Sequence, residues 1–162
     1  MTETLGHREA VAVEPLALAR DWLGLVIPVA SVLGMVVSAY LTWVHWSGSK
    51  ALCAGVGDCE AVNFSAYAEV SGIPVALLGF GMYLALLGLS VYGRRAESGM
   101  VSTVALAVFG ISLAGVLYSA YLTYIELAVL HAVCPWCVAS AALITVIFGL
   151  SLRDVVRMTG ES

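Results

Sequence analysis

Charged side chains cluster along the chain, and the stretches between the clusters are almost wholly apolar. There are 28 residues without Asp, Glu, Lys or Arg between Asp21 and Lys50, 24 between Glu69 and Arg94, 28 between Glu97 and Glu126, and 21 between His131 and Arg153. Each run is long enough to cross a hydrocarbon core as a helix, which takes roughly 20 residues. None alternates with the period of a barrel strand, and an open strand in lipid would leave its N–H and C=O groups unpaired. The pattern predicts an all-α membrane protein, a four-helix bundle over 21–153 with helices at about 22–46, 73–92, 101–125 and 133–152. Residues 1–20 and 154–162 are expected to be tails.

A cleavable leader is the competing reading of the first run. It would begin with basic residues and carry an apolar core of about 7–15 residues. Here Glu3, Glu9 and Glu14 precede the run, and the run is too long. The first twenty residues are therefore expected to be a retained, unstructured segment and the run a spanning helix.

Composition agrees with the pattern: 61% of residues are hydrophobic and 11% charged, with a mean hydropathy of +0.98. The net charge of −4 offers no basic surface, which argues against nucleic-acid binding. The seven basic residues are unevenly placed. Arg8, Arg20, Arg94, Arg95, Arg153 and Arg157 lie in the two tails and the middle connection, and only Lys50 lies elsewhere. Positive charge gathers on the cytoplasmic side, so both termini are expected there, in a plasma membrane, with 47–72 and 126–132 facing outward.

All four cysteines fall in or beside those two outward connections: Cys53 and Cys59 in the first, Cys134 and Cys137 at the second. Disulfides form and persist outside the cytoplasm, and cysteines used only as apolar filler would not segregate in this way. The first and third runs also share a word. Gly34 to Trp43 matches Gly115 to Tyr124 at six of ten positions with an offset of 81, which carries Cys53 onto Cys134 although Cys59 falls on Ser140. The word is compatible with duplication of a helix–cysteine–helix unit or with chance similarity between apolar segments. Its small residues Gly34, Ser38, Gly115 and Ser119 stand four apart, the spacing that lets helix backbones approach in lipid.

Cys134-Pro135-Trp136-Cys137 carries the most chemistry. Two cysteines three apart at the start of a helix share a face, so an S–S bond can open and close with little backbone movement. Pro135 suits a first helical turn, whose N–H groups lack partners anyway, and the helix N-terminus favours a thiolate. The Cys53-Ala-Gly-Val-Gly-Asp-Cys59 segment reads as a flexible loop able to meet a soluble partner and return to the membrane surface. Two such pairs can exchange electrons by thiolate attack on a disulfide, with no metal. A zinc site built from all four is disfavoured by the five-residue gap, since structural zinc pairs use shorter ones. Static disulfides pinning a structural or transport bundle remain the alternative.

With the serine at Ser65, six residues after Cys59, and Gly72-Ile73-Pro74 opening the second helix, this constellation resembles the vitamin K epoxide reductase family in its bacterial branch, over roughly Trp22 to Leu152. The resemblance implies a thiol oxidoreductase in which a separate thioredoxin-fold dithiol protein attacks the Cys53–Cys59 disulfide at Cys53. Cys59 then passes electrons to Cys134, and Cys137 faces a quinone, menaquinone or ubiquinone. It places Ser65 near the active site. After Cys137 the chain reads Val138-Ala139-Ser140-Ala141 where the animal enzymes have Thr-Tyr-Ala, which points to a quinone rather than an epoxide as substrate. Quinone reduction consumes two protons, and His45, Glu126 and His131 near the same helix ends are candidate proton carriers. Trp43, Trp46, Tyr121 and Tyr124 are expected to form an interfacial aromatic belt.

Overall fold

A computed structural model describes residues 3–53, 57–95 and 98–160, with side chains from Gly24 onward except those of Ser98 and Gly99. Its elements in order are α1 (Glu3–Ser47), α2 (Cys59–Asn63), the short strands β1 (Glu69–Val70) and β2 (Ile73–Pro74), α3 (Val75–Gly93), α4 (Ser98–Ile125), a π-helical turn (Glu126–Leu130) and α5 (Pro135–Gly160). Four helical segments are long and apolar enough to span a membrane: Gly24–Ser47, Val75–Gly93, Met100–Leu130 and Pro135–Gly160. They correspond to the four charge-free runs.

Both expected tails are partly helical. The helix α1 begins at Glu3 rather than near Trp22, because the preceding stretch is rich in Ala, Leu, Glu and Arg, all strong helix formers. At the other end α5 continues through Arg153, Asp154 and Arg157 to Gly160, since nothing earlier in that stretch supplies a Gly or Pro stop. The second spanning helix starts two residues later than expected. Residues 69–74 form a tight antiparallel ribbon pairing Val70 with Ile73, turned by Ser71 and Gly72 at φ 55 and 80. Two consecutive left-handed residues are what a two-residue hairpin turn requires.

The centre of the bundle is built from Tyr83 and Leu86 of α3, Ile144 and Ile147 of α5, Ala30 of α1 and Val108 of α4, all buried. Small residues set the helix spacing. A Cβ on Gly34 would run into the Tyr83 ring, and one on Gly115 would meet Met82 Sδ at 2.7 Å and Ile144 Cγ1 at 2.8 Å. Ser38 lies across from Gly79, where an added Cβ would stand 3.2 Å from its Oγ. Buried hydroxyls satisfy themselves locally or across helices, as Ser112 of α4 and Ser151 of α5 do at 3.1 Å, which avoids an unpaired polar group in an apolar interior. Much of the outer surface is apolar, including Val36, Leu84, Leu106 and Leu117, as a lipid-facing surface should be. Trp43, Trp46, Tyr121 and Tyr124 are all more than 45% exposed, at 69%, 67%, 50% and 64%.

Candidate functional site

The connection between α1 and α3 and that between α4 and α5 meet at one end of the bundle, and the meeting point contains all four cysteines. Asp58 caps α2 by accepting the Ala61 N–H at 3.0 Å, so the helix starts at Cys59 and turns it inward. Cys53 and Cys59 are joined as a disulfide with their Cα atoms 6.3 Å apart. Cys134 and Cys137 are free thiols. Cys59 is 2% and Cys134 0% exposed, and both belong to one buried cluster against which Cys53 and Cys137 also pack.

Position within the chain explains this convergence. After Ile125 the third spanning helix widens into the π turn, and His131, in the left-handed conformation at φ 50, ends it. The Glu126 carbonyl closes the turn by accepting the Ala132 N–H at 3.0 Å. Chain reversal then takes only Ala132 and Val133 before Cys134 and the first turn of α5. The same residue contributes its side chain: Glu126 is buried, and its Oε2 accepts the Cys134 backbone N–H at 3.2 Å. The Cys137 thiol lies close to that carboxyl group and to Cys134. Cys134 sits just ahead of the helix, and hydrogen bonding from the Cys137 thiol brings its pKa down to about 7, with burial acting in the opposite direction. A thiolate is thus accessible near neutral pH at the residue facing Cys59.

A cavity of about 510 Å³ adjoins this pair, within the range of small-molecule sites. Its walls are mainly apolar side chains of α1, α3 and α4, among them Leu41, Leu78, Met82, Ile111 and Leu122, and its polar lining includes Asn63, Ser65, Glu126, Cys137 and Ser140. Of the expected site residues, Cys137, Ser65 and Glu126 border this space. Ser65 Oγ donates to the Val62 carbonyl at 2.8 Å, so its hydroxyl also ends α2.

The three candidate proton carriers are not brought together. Among the described residues only Glu126 lines the cavity. His45 instead ties α1 to the loop, with Nδ1 donating to the Asn63 carbonyl at 2.8 Å and Nε2 lying 2.9 Å from Glu69 Oε1, its ring stacked on Phe64. His131 is exposed and serves the turn, which it ends in the left-handed conformation. Of the expected shuttle loop, 54–56 lie outside the described residues, and the stretch just ahead of Cys53 is bonded to α1 and α5. Leu52 N–H donates to Tyr40 Oη at 2.8 Å, and its carbonyl accepts Trp136 Nε1–H at 3.0 Å.

Two residues lining the cavity, Asn63 and Ser140, escaped the sequence reading as site residues. Asn63 is buried and donates from Nδ2 to the Leu41 carbonyl at 3.3 Å; an Asn between Val62 and Phe64 was the available signal. Tyr83 Oη donates to the Ser140 carbonyl at 2.8 Å and lies 3.0 Å from Ser140 Oγ, a long-range contact that no local pattern announces.

The chain is 38% identical over 131 residues to the thiol-disulfide oxidoreductase LTO1 of Arabidopsis thaliana, covering 75% of this chain and 34% of that protein. It thus spans about a third of the length of this curated relative. The model of the vitamin K epoxide reductase family matches residues 25–152, which include all four cysteines and the whole cavity, and the chain belongs to that family.

Proposed function

We propose that this chain is a membrane thiol:quinone oxidoreductase that reoxidises a separate thioredoxin-fold dithiol protein and so supports disulfide bond formation outside the cytoplasm. The observation that carries the reading is the position of the two inner thiols: Cys134 is buried in one cluster with the Cys53–Cys59 disulfide, and Cys137 borders a large, mainly apolar cavity. The orientation rests on the distribution of basic residues.

In this reading a partner thiolate attacks Cys53 Sγ, the more accessible sulfur of the loop pair, and Cys59 leaves as a thiolate. The partner's second thiol resolves the mixed disulfide and departs oxidised. Cys59 then attacks Cys134 of an oxidised Cys134–Cys137 pair, Cys137 leaves, and attack by Cys53 on Cys59 restores the loop disulfide. Two electrons have moved inward. The arrangement of oxidised loop pair and reduced inner pair corresponds to the stage that follows. The quinone is the second substrate: it takes two electrons and two protons as Cys134 and Cys137 form their S–S bond. Glu126 touches both cysteines and the cavity, and is the residue placed to carry a proton between them.

The test is acceptor reduction by the purified protein with a reduced thioredoxin-fold protein as donor, followed by quinone bleaching. Wild type should turn over, and Cys137→Ala should abolish quinone reduction. Normal turnover by that variant would reject the assignment.

A further inference from the structure

The loop that bears the first cysteine pair is fastened to the segment that bears the second at two points, one ahead of each loop cysteine. Ahead of Cys53, the Leu52 carbonyl accepts the indole N–H of Trp136, a residue lying between the two inner cysteines, at 3.0 Å. Tyr40 completes this contact by accepting the Leu52 N–H at 2.8 Å and packing its ring on Trp136 at 5.1 Å between centroids. Ahead of Cys59, the Asp58 N–H donates to the carbonyl of Val133, the residue before Cys134, at 3.2 Å. That second contact needs Gly57. Its φ is +80, and a Cβ there would collide with the Val133 carbonyl.

A surface loop ordinarily turns its backbone groups to water. Here both polar groups of Leu52 are taken by side chains from α1 and α5, although the Leu52 side chain itself is 77% exposed. Solvation alone would satisfy those groups, so the bonds act on position. They lock the register between Cys53–Cys59 and Cys134–Cys137. Thiol–disulfide exchange requires three sulfurs in line, and a displacement of about 1 Å in such a geometry costs heavily in rate.

We propose that Trp136 and Gly57 form a two-point staple that holds Cys59 in register with Cys134, making Trp136 a positioning residue for electron transfer between the pairs. The inference rests on the relay proposed above. Trp136 does not line the cavity, and its role is exerted through the loop. Once the Trp136 N–H is lost, the flank of Cys53 drifts while the ring packing on Tyr40 persists.

The test separates the two steps. The full chain, with its inner pair oxidised by excess short-chain quinone, is mixed rapidly with a reduced thioredoxin-fold donor, acid-quenched and alkylated, and reduction of the inner pair is timed by mass. The acceptor step is timed separately after full reduction. Trp136→Phe, which keeps a ring and deletes the donor, should slow the inter-pair step about fivefold relative to the acceptor step, the scale of one hydrogen bond. Gly57→Ala, which blocks the second contact, should slow it at least about tenfold. An unchanged ratio in both variants, with wild-type transfer intact, would overturn the staple and leave the relay standing. Failure of wild type to pass electrons between the pairs would overturn the relay and the staple together.

Discussion

Glu126 and Cys134 are eight residues apart and joined by a hydrogen bond, with the glutamate Oε2 accepting the cysteine N–H at 3.2 Å. An α-helix continued through this stretch would carry Cys134 about 12 Å along its axis from Glu126, at 1.5 Å per residue. The π turn and the left-handed His131 fold that distance back. One carboxyl group therefore supports the amide of the first inner cysteine and contacts the thiol of the second.

Glu126→Gln retains an oxygen for the Cys134 amide and removes the capacity to take a proton. Quinone reduction by the fully reduced protein should fall about a hundredfold, the usual scale of general acid–base assistance, with little change in thermal unfolding. Glu126→Ala should also destabilise the chain reversal, because the buried Cys134 N–H loses its partner, at about 1–3 kcal/mol. Single-turnover bleaching and thermal unfolding in detergent distinguish the two effects.

Hydrogen bonding from Cys137 lowers the Cys134 pKa to about 7, and the direction of the resulting pH dependence follows from its charge. Below that value Cys134 carries a proton and is a poor nucleophile; above it the thiolate predominates. In a Cys53→Ala/Cys59→Ala protein, thiolate absorbance should show a midpoint at about 7. Adding Cys137→Ala removes the hydrogen bond that lowers it, and the midpoint should move up toward the ordinary thiol value of about 8.5. A midpoint that stays put would locate the cause elsewhere.

Gly115→Val should destabilise the bundle by about 1–3 kcal/mol, since overpacking forces neighbours off their rotamers. Met82 and Ile144 stand within 3 Å of the added atom. Gly81→Ala is the comparison on α3, where an added Cβ meets nothing within 4 Å. Its thermal midpoint should match or exceed that of wild type.

His45→Ala should release the loop from the end of α1. It deletes a bond to the Asn63 carbonyl and the contact with Glu69, worth about 1–2 kcal/mol together given the exposed carboxylate. Faster amide hydrogen exchange over 59–70, with little change over α3, is the expected signature.

The spanning helices were legible because a hydrocarbon core leaves a one-dimensional record: each crossing needs a run of roughly 20 mostly apolar residues, in which charges are rare. The four cysteines were legible for a related reason, their segregation to two connections. What could not be read was how the connections meet. The Trp136–Leu52 bond spans 84 residues, and the Tyr83–Ser140 bond spans 57; neither has a periodic signal. His45 and His131 were grouped with Glu126 by nearness to the same helix ends, but proximity in depth says nothing about which way a ring turns. The π turn was invisible because Glu126 closes the charge-free run, which put 126–132 in the outward connection, and nothing in Glu126 to Leu130 marks a π-helical turn.

Burial of Cys134 has a consequence for wiring. With none of its surface reachable by water, a small reductant or oxidant drifting past encounters the loop sulfurs instead. The Cys134 end of the couple is insulated like a conductor in a sheath, and short circuits through it are prevented by steric exclusion before any difference in potential comes into play.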